Sequence, residues 1–233
     1  MGICCAFLVP VPISTEPGAQ GADVHLAYSP IEAVKLARAY SDRNVVFLAI
    51  GFETTAPANA MAAWIAKNEG LTNFSMLVSQ VLVPPAIRAL MASPHNRIQG
   101  LIAPGHVCTV MGFSEYEELV RQVAVPIVVG GFEPVDLLEA ILMLVKQLER
   151  GEARVENQYV RSVTYDGNRR AQEIMQQLFE ITDQKWRGIG PIPRSGLRLR
   201  PEYASLDANE IFELDLVSAD EPVECISALV LQV

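Results

Sequence analysis

Between Ala22 and Arg150, short apolar runs alternate with segments whose apolar positions recur at helical spacing. Val24-His25-Leu26-Ala27-Tyr28 reads as a strand, and Ser29-Pro30-Ile31-Glu32 as a helix start with Ser29 as N-cap. The run from Asn44 to Ile50, closed by Gly51, has the continuous apolar character of a strand covered on both faces. A helix is expected from Ala58 to Glu69, with Thr55 available as its cap and Gly70 as its stop. The cycle then repeats. Strands are expected at Phe74 to Val81, Ile98 to Ala103 and Pro126 to Val129. Helices are expected at Pro84 to Met91, Glu115 to Gln122 and Pro134 to Leu148. This order predicts an α/β fold: a mostly parallel sheet with helices on both faces in Rossmann-like layers, joined by right-handed crossovers.

After Gly151 the alternation stops. Asn157-Gln158-Tyr159 and Arg161 precede a helix expected from Asn168 to Glu180. The Gly/Pro-rich stretch from Trp186 to Gly196 reads as an ordered loop, because Trp186 and two isoleucines give it something to bury. The final residues, Ile226 to Val233, form an apolar run that a domain seldom leaves uncovered. The expected organisation is an atypical N-terminal segment (1–20), an α/β domain (21–152), a helix and ordered loop (153–215), and a tail (216–233).

Composition narrows the function classes. Half of the 233 residues are hydrophobic, enough for a sizeable core, and the formal net charge is −9 with no Lys/Arg cluster. Nucleic acid and anionic membrane surfaces are therefore poor partners, since both need a basic footprint. The four cysteines, Cys4, Cys5, Cys108 and Cys225, form no C-x-x-C pair and no zinc-ligand spacing, which points to a reducing, cytoplasmic setting. No apolar run is long enough to cross a bilayer. The apolar stretch Met1 to Ile13 lacks a basic start and is broken by Pro10 and Pro12, so it is not expected to be a signal peptide. The phosphate-loop, dinucleotide-binding and serine-nucleophile patterns are absent.

Chemistry-bearing residues concentrate where apolar runs end. Gly-Phe-Glu occurs twice at such places, as Gly51-Phe52-Glu53-Thr54-Thr55 and as Gly131-Phe132-Glu133-Pro134-Val135-Asp136. Between them lies Pro104-Gly105-His106-Val107-Cys108. Three strand-to-helix turns of one parallel sheet would gather on a single edge, where open α/β sheets bind ligands. Glu53, Thr54 and Thr55 offer an acceptor and two hydroxyls at a helix N-terminus, although plain capping would explain them equally well. His106 could relay a proton, as imidazoles in general can, or be held by a backbone carbonyl. Glu133 and Asp136 could supply a carboxylate pair, or simply favour the helix dipole. Cys108 reads as a small buried residue; His25 and His95 read as structural.

These motifs, in this order, resemble the hydrogenase maturation protein family HypD. Val155-Glu156-Asn157-Gln158-Tyr159, Trp186-Arg187-Gly188 and Ser195-Gly196-Leu197-Arg198-Leu199-Arg200 are similar to the same family, and the likeness runs from about Gly21 to about Asp215. The resemblance implies a scaffold with a redox role, rather than a stand-alone enzyme, in building the Fe(CN)2CO group of [NiFe] hydrogenases. It implies iron and a [4Fe-4S] cluster as cofactors, a HypC-like chaperone and a HypE-like cyanide donor as partners, and Glu53, Thr54, Thr55, His106, Glu133 and Asp136 as cleft residues. The family's N-terminal cysteine motifs have no counterpart here, and Ser227 stands where a second cysteine would follow Cys225. The chain is therefore expected to be an incomplete member that binds no cluster by itself. The alternative is an independent α/β enzyme or small-ligand-binding domain using His106 and the two glutamate turns.

Overall fold

The computed structural model describes residues 23–94, 96–186 and 189–212, together with the backbone of 4–8. The expectations placed on His95, on Cys225 and on Ile226 to Val233 lie outside these residues. In chain order the elements are β1 (Cys4–Leu8), β2 (Asp23–Ala27), α1 (Pro30–Ala39), β3 (Val45–Gly51), α2 (Ala56–Asn68), β4 (Phe74–Val81) and α3 (Val83–Met91). There follow β5 (Leu101–Pro104), α4 (Gly105–Met111), α5 (Ser114–Val123), β6 (Ile127–Gly130), α6 (Pro134–Arg150) and β7 (Val155–Asn157). The last are α7 (Arg169–Leu178), β8 (Phe179–Trp186), β9 (Gly190–Leu199), a 3-10 turn (Pro201–Leu206) and α8 (Ala208–Phe212). The fold is α/β, as the alternation of patterns requires.

The chain divides into two compact units. Among the described residues, the first holds everything up to Val81, then Glu173–Thr182, then Gly196 onward. It is built on a six-stranded mixed sheet of order β2-β1-β3-β4-β9-β8. β3 and β4 pair in parallel, from Val45↔Phe74 to Gly51↔Gln80. β1 runs antiparallel to both β2 and β3. Phe47, Phe74 and Met76 are buried, in strands that pack against α1 and α2. Burying each such side chain contributes roughly 1.5–3 kcal/mol. Those helices pack on each other, and Ala33 and Ala37 on one and Ala56, Ala60, Ala63 and Ala66 on the other are fully buried.

The second unit comprises Leu82–Gln172 and Asp183–Ser195 among the described residues. Its three strands, β5-β6-β7, are all parallel, and central β6 is buried at every residue. Ile87, Ala103, Cys108, Tyr116, Leu119, Val120, Ile127, Val129 and Val163 form one core. Cys108 sits within it, as its small apolar character suggested.

Two expectations are corrected. The Gly/Pro stretch after Trp186 is not a loop: Gly190–Leu199 is strand β9. It pairs antiparallel with β4 through Gln80↔Leu197 and Val81↔Gly196. That pairing occupies the free edge of β4, where β5 would have had to continue a single sheet. The three motif-bearing turns therefore do not lie on one sheet edge. The β3–α2 turn belongs to the six-stranded sheet, and the β5–α4 and β6–α6 turns belong to the three-stranded one. Helix α4 also begins immediately at Gly105, in a stretch too short to show a helical period.

Candidate functional site

In the first unit, β3 ends at Gly51 with φ of 150°, a conformation side chains avoid. A Cβ there would also collide with the Thr55 hydroxyl. The turn that follows buries Glu53 and leaves Thr54 exposed. Thr55 occupies the N-cap position of α2, yet its hydroxyl caps no amide. It lies 3.2 Å from both the Phe52 carbonyl and Gln80 Oε1, to which it can donate. Gln80 is the parallel-register neighbour of Gly51 on β4. Its Nε2, and both polar atoms of Asn59 one helical turn beyond Thr55, are buried without a partner. Each such orphaned group costs about 1–3 kcal/mol until a polar partner meets it. This end of β3 and β4 thus concentrates a carboxyl, a hydroxyl and two amides.

In the second unit, β5 runs straight into α4, and His106 is the second residue of that helix, exposed. Gly105 before it admits no side chain: a Cβ would lie 2.5 Å from the Gly130 carbonyl and 2.7 Å from the Tyr159 ring. The imidazole meets the Phe132 ring edge-on at 4.6 Å and the Tyr159 ring at 5.8 Å. Beneath Tyr159 lies a polar network. The Arg161 guanidinium stacks on that ring at 4.4 Å and forks onto Asp136, with distances of 2.7 Å to Oδ1 and 2.5 Å to Oδ2. Arg161 also reaches Glu133 at 3.1 Å. Gln158 donates to Asp136 and Glu139, each at 2.9 Å, and accepts from the Gly131 amide at 3.2 Å. An open cavity of about 750 Å³ in the same unit is lined by residues including Thr109, Ser162, Thr164, Arg169 and Arg170.

Electrostatics separate the roles. The bidentate Arg161 bond, aided by Gln158, holds the buried Asp136 carboxyl down at about 2, so Asp136 stays ionised at neutral pH. Asp136 in turn raises Arg161 above the ordinary arginine range. A carboxylate held this way orients its partner and is a poor base. Glu133, far more exposed, shares Arg161 weakly.

Of the six candidates, His106, Glu133 and Asp136 are linked within one unit through Tyr159 and Arg161. Glu53, Thr54 and Thr55 stand together in the other. Sequence reading noted Gln158, Tyr159 and Arg161 but gave them no role. The available signal was their position just beyond a strand that closes the same parallel sheet. Among the described residues no group of three or more His, Cys, Asp and Glu side chains is placed to hold a metal, and no helix is long and apolar enough to cross a membrane.

Residues 11–233 match the family model HypD, described as hydrogenase formation hypA family, so the likeness begins ahead of Gly21 and continues past Asp215. The hydrogenase maturation factor HypD of Azotobacter vinelandii is 46% identical over 213 residues, covering 89% of this chain and 56% of that protein. HypD1 of Bradyrhizobium diazoefficiens is 44% identical over 220 residues, covering 91% and 58%. The Escherichia coli K12 HypD is 42% identical over 195 residues, covering 83% and 52%. The chain spans about half the length of the curated relatives it matches. With the family match running over nearly its whole length, the chain belongs to the HypD family of hydrogenase formation proteins.

Proposed function

We propose that this chain serves in the maturation of [NiFe] hydrogenases, as part of the scaffold on which the Fe(CN)2CO group is built as cargo. The observation that carries this reading is the family match, together with relatives named as hydrogenase maturation factors. A HypC-like chaperone and a HypE-like cyanide donor are the proposed partners, and the cytoplasm the proposed compartment.

In this reading His106 is the group that handles protons. Phe132 and Tyr159 fix its ring on two edges while leaving it open to solvent. Asp136 and Arg161 are positioning residues: the ion pair anchors the guanidinium, and the guanidinium supports the face of Tyr159. Glu133 supplies a nearby carboxylate. Glu53, Thr54 and Thr55 provide a second polar set for hydrogen bonds to the cargo or a partner. A [4Fe-4S] cluster needs four thiolates, and the residues described do not fit one. Among the described residues, Cys108 is enclosed in an apolar core and no group of three or more potential ligands is placed to hold a metal.

The test is His106→Ala, placed in an otherwise complete HypD in a host lacking its own. Hydrogenase activity should fall by about tenfold or more, the scale of a lost proton-transfer group, with the thermal midpoint unchanged. Full activity would remove His106 from the site. Failure of the chain to capture a HypC-like chaperone would favour the small-ligand-binding alternative.

A further inference from the structure

We propose that Gln158 is a positioning residue for His106, acting through the β6–α6 turn that holds Phe132 against the imidazole. The proposal rests on the reading of His106 as the group that handles protons. The Phe132 ring meets the imidazole at 4.6 Å, yet the residue is 54% exposed, so packing does little to hold it. The backbone that carries Phe132 must therefore set its place. The residue before it, Gly131, is buried and donates its amide to Gln158 Oε1 at 3.2 Å.

The other end of the same carboxamide faces α6. Its Nε2 donates to Asp136 Oδ1 and to Glu139 Oε2, each at 2.9 Å. Those carboxylates are three residues apart, neighbours on one helix face. Gln158 is itself fixed to β6: its amide and that of Tyr159 donate to the Val129 carbonyl at 2.8 and 3.3 Å. One side chain thus ties together the end of β6, the turn after it and the start of α6. A backbone N–H on one side and two carboxylates on the other call for one acceptor and two donors, which a carboxamide supplies. An ionised glutamate has no donor, lysine has no acceptor, and methionine offers only a weak acceptor. The turn itself is tight, since a Cβ on Gly131 would collide with the Asp136 carboxylate and with the Tyr159 ring that also meets His106. Without Gln158 Oε1 the buried Gly131 amide loses its acceptor, a cost the turn relieves by shifting toward water. Phe132 shifts with it.

The test combines proton NMR of the full chain with maturation by an otherwise complete HypD. The chain has three histidines, and His106→Ala assigns the imidazole C–H signals of His106 by their loss. Gln158→Met removes the strong bonds at similar size. Gln158→Lys keeps a donor toward Asp136 and Glu139 but cannot accept from Gly131, so it isolates the bond to the turn and stands in if the first variant does not fold. In both, the His106 signals should move toward those of an unstacked imidazole, while the His25 signals stay in place. Hydrogenase activity should fall by about tenfold, the scale of a misplaced catalytic group. Adding Gln158→Met to His106→Ala should cost nothing further, because one residue acts through the other. Unmoved His106 signals in the folded variants, or losses that add in the double variant, would overturn the proposal. Moved signals with full hydrogenase activity would bear out the placement by Gln158 and overturn the proton-handling reading of His106 instead.

Discussion

The same tripeptide ends a parallel strand in each unit, and its glutamate meets opposite environments. Glu53 is buried, whereas the Glu133 side chain is 76% exposed. The cause is how soon the helix begins. After Glu133 the helix starts at once at Pro134, so Glu133 is itself the N-cap residue and projects outward. After Glu53 two more residues pass before α2 starts at Ala56, and the turn folds the glutamate inward. The glycines differ too. Gly51 has a positive φ, whereas Gly131 is not among the glycines that do. A short motif thus fixes that a turn occurs; the spacing to the next helix decides which side chain it buries.

The largest expected effect comes from adding a methyl group at each glycine. A Cβ at Gly131 would run into the Asp136 carboxylate and the Tyr159 ring, and one at Gly51 into the Thr55 hydroxyl. Gly131→Ala should cost about 2–4 kcal/mol, read from urea midpoints, because well-packed neighbours must shift. Gly51→Ala should cost a similar amount, but for two reasons. In a Thr55→Ala background the collision is relieved while the unfavourable φ remains, leaving about 1 kcal/mol or more. If Thr55→Ala rescues Gly51→Ala completely, the backbone difference between the turns has no energetic content.

The glutamates themselves come next. Glu53→Ala should destabilise the chain by about 2 kcal/mol, since a buried polar side chain leaves its partners unsatisfied. Glu133→Ala should stay within about 0.5 kcal/mol, the usual range for an exposed substitution. Equal effects in thermal or urea unfolding would break the contrast between the two turns.

Much of the fold was legible because its signals are local. Continuous apolar runs marked β3, β4 and β6, and Pro30 and Pro134 marked helix starts to the residue. The division into two sheets was not legible. It depends on β9 reaching β4 across more than a hundred residues, and Pro191 and Pro193 disguise the strand as a loop. The site was half legible. Residue chemistry at strand ends pointed to Glu53, His106 and Asp136. Arg161 was missed because its importance is relational: it lies at the crossing of Tyr159, Asp136 and Glu133, and nothing in its own sequence window says so.

That crossing also sets the smallest prediction. Asp136 titrates at about 2 when folded, held down first by Arg161 and then by Gln158. In the unfolded chain it should titrate near the ordinary aspartate value of about 3.9. The folded state therefore binds this proton less readily than the unfolded one. Its contribution to stability is complete above about pH 4 and fades as pH falls toward 2. Asp136→Asn removes the titration, so the gap in urea midpoint between the wild type and this variant should be widest near neutrality and narrow from pH 4 to pH 2. Glu69, lowered by its bond to Arg38, and Glu118, lowered chiefly by Arg121, also lose stabilising charge in acid. They do so equally in both proteins and cancel in the difference. A gap that stays constant over this range would mean that the Arg161 clamp does not hold the Asp136 proton off in solution, and Arg161 would lose its place as the anchor beneath Tyr159.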